Sequence, residues 1–126
     1  MLAENLKIFK ATREVLGIML GYTKNVSREV KFAEWADARK AMSDALDIIF
    51  VINSETDYTE SARLVQQYLF HIYQVRNRIR LLAENGYLNV KFKTTIILKL
   101  EECSKQGVGW RNYYANQARV RERGAN

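Results

Sequence analysis

The 126-residue chain has no proline, one cysteine, one histidine and six glycines. Each scarcity excludes something. Without proline nothing interrupts a helix sharply. Strand-rich chains carry more turn residues than six glycines supply, and four of the six stand where a helical pattern stops, so a few long helices are expected. Cys103 alone cannot staple a fold, which fits a reducing, cytoplasmic setting. His71 stands between Phe70 and Ile72, away from the main apolar stripe, with no nucleophile motif to serve. There is no Glu-x-x-His pair for a di-iron bundle and no cysteine or histidine spacing for zinc. Gly107-Val108-Gly109 is too short for a phosphate loop and follows a helix instead of opening one. No enzyme, catalytic residue, metal site or cofactor is therefore expected. No apolar run approaches a membrane span. The start, MLAENLKIFK, lacks the basic-then-apolar pattern of a signal peptide.

What the chain does have is helical periodicity. The length is that of one domain. A first helix is expected over Leu2 to Gly21, with Leu2, Leu6, Phe9, Leu16 and Leu20 as its stripe and Ile8, Val15 and Met19 widening it. Tyr22-Thr23-Lys24-Asn25 breaks the pattern. Ser27 is a candidate cap for the second helix, which starts there or nearer Ala33 and ends about Asn53. Its stripe is Trp35, Ala38, Met42, Ala45, Ile49 and Ile52, a spacing that suits helices packed nearly side by side. A third helix begins after a cap at Thr59 or Ser61 and runs to about Glu84, with Val65, Tyr68, Ile72, Val75, Ile79 and Leu82 in line. Asn85-Gly86 closes it, Gly86 supplying the left-handed conformation that ends helices. Asn89 caps a fourth helix, which carries Phe92, Ile96, Leu100 and Cys103 and is expected to end at Gly107 and Gly109. Four amphipathic helices with short connections predict an all-α, antiparallel up-down-up-down four-helix bundle over residues 1–110. Residues 111–126 follow as a basic tail, either disordered or helical.

The net charge is +6, unevenly placed. Residues 1–60 hold 8 basic and 10 acidic residues; residues 61–126 hold 12 basic and 4 acidic ones, a net of +8. Such asymmetry points to a polyanion or an acidic surface as partner of the second half, with ordinary solvated faces as the plainer explanation. The densest segment is Arg76-Asn77-Arg78-Ile79-Arg80. On a helix Arg76 and Arg80 share a face, while Arg78 points roughly 160–200° away. Arginine forks bind phosphates and stack on bases; salt bridges to acids of the first two helices are the alternative. Lys91 and Lys93, with Lys99 and Lys105, charge the fourth helix. In the tail, Arg111, Arg119, Arg121 and Arg123 stand near Tyr113 and Tyr114, a mixture that suits RNA and equally suits a frayed terminus. Trp110 is either a cover for the bundle end or an intersubunit contact. Tyr68, Leu69, Phe70 and Tyr73 go more than half-way round the third helix, leaving apolar surface for a neighbouring subunit, with Phe70, Tyr73 and Trp110 as interface candidates.

From Arg80-Leu81-Leu82-Ala83-Glu84-Asn85-Gly86-Tyr87-Leu88-Asn89, through Phe92, Leu98, Leu100 and Glu101-Glu102, to Gly109-Trp110, the chain resembles the accessory variability determinant (Avd) family of diversity-generating retroelements. Ile52-Asn53 is similar to the apolar-Asn position that precedes the third helix in that family. The resemblance implies a non-catalytic four-helix bundle that assembles into a basic pentameric barrel. It further implies partners: a reverse transcriptase and template RNA, or DNA, in error-prone cDNA synthesis for mutagenic retrohoming. Arg80 would occupy the family's basic position at the end of the third helix, with Arg76 one turn earlier, and Gly109-Trp110 its terminal pair. A related bundle, encoded in intervening sequences of ribosomal RNA genes, is matched more faintly at Val51-Ile52-Asn53-Ser54-Glu55 and implies a structural oligomerisation module without a dedicated nucleic-acid role.

Overall fold

The computed structural model describes residues 1–125, all in helices, turns and short connections, with no strand among them. The helices are α1 (Lys7–Tyr22), α2 (Arg28–Lys31), α3 (Glu34–Ser54), α4 (Tyr58–Glu84) and α5 (Val90–Ala125); 3-10 turns occupy Ala3–Asn5 and Thr23–Asn25. α1 packs on α3 and α5, and α4 packs on the same two helices, so the four long helices enclose one core.

The apolar stripes expected for the second, third and fourth helices are all buried: Trp35 through Ile52 on α3, Val65 through Leu82 on α4, and Phe92 through Cys103 on α5. Each Val, Leu, Ile, Phe or Met among them contributes roughly 1.5–3 kcal/mol when fully buried, and this packing holds the helices in place. The ends are chemically marked. The Glu29 N–H donates to Ser27 Oγ, and the Thr59 N–H to Asp57 Oδ1 at 3.1 Å. The Phe92 N–H donates to Asn89 Oδ1 at 2.7 Å. Gly86, with φ +80°, closes α4, and the Tyr87 N–H returns to the Leu82 carbonyl at 2.9 Å.

Several boundaries differ from the sequence pattern. The first helix starts at Lys7, not Leu2, because Leu6 is extended (φ −73°, ψ 139°) after the 3-10 turn. Its buried face is Ile8, Phe9, Thr12, Val15 and Met19, while Leu2 and Leu20 are exposed. Thr12 belongs inside because its hydroxyl has partners there, which turns the helix away from the stripe that hydrophobicity alone selects. Ser27 caps the four-residue α2, and α3 starts at Glu34. Asp57, rather than Thr59 or Ser61, caps α4, and Ser61 is wholly buried.

The largest departure is at Gly107 and Gly109, which end nothing: α5 continues to Ala125. A helical glycine costs only about 1 kcal/mol relative to alanine, and packing outweighs it. Gly107 lies where α5 meets α4; a Cβ there would stand 2.6 Å from Leu69 Cδ2 and 3.2 Å from the Tyr68 ring. The chain beyond is held by Tyr114, whose ring lies 6.2 Å from Tyr58 and 5.7 Å from Trp110. The basic tail is thus helical through Ala125, with Asn126 outside the described residues.

The core contains one polar knot. The Thr12 hydroxyl donates to the Ile8 carbonyl at 2.6 Å, so the Tyr68 hydroxyl donates to Thr12 Oγ1, also at 2.6 Å. Cys103 Sγ lies 4.0 Å from the same oxygen, joining α1, α4 and α5. Burial pushes the Tyr68 phenol far above its ordinary value, reinforced by the neighbouring Cys103, and burial also raises the Cys103 thiol. Both groups therefore stay protonated in the fold after the unfolded chain has released its protons. Their contribution to stability is whole below the unfolded thiol value of about 8.5 and is lost as pH rises toward the folded values. Urea melts across pH are expected to show stability falling above about pH 8.5, and more steeply above about 10 where unfolded tyrosine ionises. Cys103→Ala should remove the earlier part of that fall; an unchanged onset would contradict this account.

Candidate nucleic-acid interface

Arg76, Arg78 and Arg80 stand on the last three turns of α4, and the helix divides them. Arg78 turns into the groove between α3 and α4, beside Asp37, Asp44 and Gln74. It therefore does not join its two neighbours. Arg76 and Arg80 face the α5 side. The Arg76 guanidinium carbon lies 4.3 Å over the Tyr73 ring, and Arg80 is exposed. Among the described residues no carboxylate is within ion-pair distance of any of the three. The ion pairs present are Lys40–Asp44, Arg63–Glu60 and Lys99–Glu14. The salt bridges to the first two helices that the sequence left open are not made. Arg76 Nε and Arg78 Nε are buried without a hydrogen-bond partner, so the outer guanidinium nitrogens carry what bonding capacity remains.

On α5 the basic residues spread along a long rod. Arg111 Nη1 donates to Gln66 Oε1 across the α4/α5 groove at 2.7 Å. With Gly107 against Leu69 and Arg111 against Gln66, α4 and α5 run in opposite directions here, so Arg80 lies toward the start of α5, where Lys93 is half-buried and Lys91 exposed. At about 100° per residue, Lys93, Arg111 and Arg119 fall on the α4 side of α5, whereas Lys91 points outward. Arg119 Nη2 donates to Asn116 Oδ1 at 2.7 Å, and the Arg121 guanidinium carbon lies 4.9 Å over the Tyr58 ring. Arg123 is exposed on the last described turns.

The nine basic candidates therefore do not form a single spot. Lys93 and Arg119 are ~39 Å apart along α5 at 1.5 Å per residue. Arg76, Arg80, Lys93, Arg111, Arg119 and Arg121, the last stacked on Tyr58 of α4, share the α4/α5 side; Arg78, Lys91 and Arg123 leave it. Of the apolar candidates, Phe70 is 60% exposed and Tyr73 55% exposed, on and beside the crest of α4. Tyr68 and Leu69 are buried, so the spare apolar surface on α4 is narrower than its sequence indicates. Trp110 is half-buried at one end of the core, beside Leu6, Gln106 and Tyr114.

Sequence patterning missed the aromatic knot at the opposite end. Tyr22 stacks on Phe92 with centroids 3.8 Å apart, and both rings lie 5.9 Å from Trp35. The signal was thin: Tyr22 stands in what reads as a polar break. Among the described residues no group of three or more His, Cys, Asp or Glu side chains is placed to hold a metal ion, and no helix is long and apolar enough to cross a membrane. His71 Nδ1 is 3.1 Å from Gln74 Oε1 on its own helix. Neither a family model nor a curated protein matches the chain.

Proposed function

We propose that this chain is a non-enzymatic, nucleic-acid-binding module, an up-down-up-down bundle of its four long helices that uses the α4/α5 side to hold phosphates. The observation that carries the reading is the cationic surplus of the second half, left without carboxylate partners at Arg76 and Arg80. Arginines that are not spent on internal ion pairs keep their outer guanidinium nitrogens for external phosphate oxygens. With the resemblance of Arg80 to Trp110 to the Avd family, the role follows: an accessory subunit of a diversity-generating retroelement, acting with template RNA and a reverse transcriptase. A reverse-transcriptase gene and imperfect repeats beside this gene would support that specific role; their absence would remove it.

The direct test is a mobility-shift or anisotropy titration against RNA and DNA over a range of salt. Binding should weaken steeply, log K falling with log[salt] in proportion to the number of phosphates neutralised. No affinity for either nucleic acid at low salt would end the proposal.

A second reading, self-association without a nucleic-acid role, is favoured by exposed apolar side chains such as Phe32, 75% exposed, and Leu98, 61% exposed. Sedimentation distinguishes it: a monomer at all accessible concentrations rules out assembly, whereas an oligomer with no affinity for RNA or DNA favours this reading over the first.

A further inference from the structure

Charge alone would serve any polyanion, but the α4/α5 groove is not lined by charge alone. Phe70 and Tyr73 are both more than half exposed, on consecutive turns of α4. One further turn brings Arg76, held over the Tyr73 ring at 4.3 Å, and the next brings Arg80. Across the groove Arg111 is fixed by Gln66 at 2.7 Å, on the other side of the two aromatics. The groove thus alternates cation, aromatic, cation over about 21 Å of α4, from Gln66 to Arg80. In a duplex the bases are already stacked on each other and present only their edges, so an aromatic face gains little. An unpaired strand offers a π-face at every nucleotide, and both aromatic rings and guanidinium planes stack on it.

We propose that the α4/α5 groove binds single-stranded rather than duplex nucleic acid, with bases stacked on Phe70 and Tyr73 between the charges of Arg76 and Arg80 on one side and Arg111 on the other. The inference rests on the nucleic-acid reading above and goes beyond it by naming the class of strand. It assigns Phe70 and Tyr73 to bases instead of to a neighbouring subunit. Phosphates lie toward Arg76 and Arg80 at one end of the aromatic stretch and toward Arg111 at the other.

The test uses the full chain with three probes: labelled oligothymidylate, a DNA duplex of the same length, and inorganic polyphosphate as competitor. Oligothymidylate should bind about tenfold or more tighter than the duplex, and polyphosphate should compete poorly. Phe70→Ala and Tyr73→Ala should each weaken oligothymidylate binding by about tenfold, the scale of one missing base stack; Phe70→Ala, unlike Tyr73→Ala, leaves the ring under Arg76 in place and should leave duplex binding and the salt slope unchanged. A strand carrying 2-aminopurine, whose fluorescence falls on stacking, gives a readout on the unsubstituted protein and should be quenched on binding. Duplex binding equal to or tighter than single-strand binding, aromatic variants with undiminished affinity, or an unquenched probe would each overturn the inference while leaving the proposed function standing. Variants that dissociate an oligomer without losing single-strand affinity would also overturn it, in favour of self-association. Failure of both strand and duplex to bind at low salt would instead overturn the proposed function and take this inference with it.

Discussion

Replacing Arg76 and Arg80 together by glutamate is expected to weaken nucleic-acid binding on the order of a hundredfold or more, with the helical fold retained. The magnitude follows from two charge-assisted hydrogen-bonding groups, each about 1.5–3 kcal/mol, at a factor of ten per roughly 1.4 kcal/mol. The salt slope should also become shallower, by about 0.7–0.9 for each phosphate that is no longer neutralised. Retention of the fold follows from what these arginines do not touch. No carboxylate pairs with either among the described residues, and Arg80 is exposed. Glutamate and arginine have similar helix propensities. The variant forgoes the Arg76 stack on Tyr73, and a glutamate at 80 stands four residues from Glu84, a repulsion of a few tenths of a kcal/mol. Anisotropy and far-ultraviolet circular dichroism on the same sample decide the matter. Collapsed helicity would mean that the arginines are structural, and unchanged affinity would move the interface elsewhere.

Trp35→Ala should be the most damaging single truncation, at about 3–5 kcal/mol, the usual cost for a fully buried tryptophan. In a domain of this size that lowers the melting temperature by roughly 10–20 °C. Trp35 is fully buried near the start of α3, where Ala33 gives no side-chain cap. Its Nε1 donates to Thr23 Oγ1 at 3.0 Å, and the Thr23 hydroxyl passes the bond to the Met19 carbonyl at 3.0 Å. Its ring fills the corner beside the stacked Tyr22 and Phe92. One side chain thereby fixes the end of α1, the start of α3 and the start of α5. Trp35→Phe should recover much of the packing but not the hydrogen bond. Urea melts with matched m-values are the measurement. A loss below about 1 kcal/mol would show that the corner collapses freely around the gap.

Much of the fold was legible because burial in a helix imposes a period. Every residue of the α3 and α4 stripes is buried, but the buried faces are wider than the stripes: Ala41 on α3 and Ser61, Leu64 and Leu69 on α4 also lie inside. The α1 stripe was misplaced. Thr12 is polar by composition, and only the Tyr68 hydroxyl, 56 positions away, makes its burial favourable. The candidate site was legible as a set of charges and not as a place. Helix phase alone separated Arg78 from Arg76 and Arg80, because that separation is local geometry. The meeting of Phe70 and Tyr73 with Arg111 in one groove depends on how α5 lies against α4, which no local rule supplies.

The sequence by itself determined that the chain is helical, where α3 and α4 carry their apolar faces, and that cationic charge is concentrated from α4 onward. Those properties follow from residue type and spacing within one segment. The tertiary structure decided the continuation of α5 through Gly107 and Gly109, the burial of Thr12, and the α4/α5 groove. A glycine stops a helix only when nothing downstream repays its flexibility. Here the close approach at Gly107 and the docking of Tyr114 on Tyr58 hold the chain helical, and both join segments far apart in sequence.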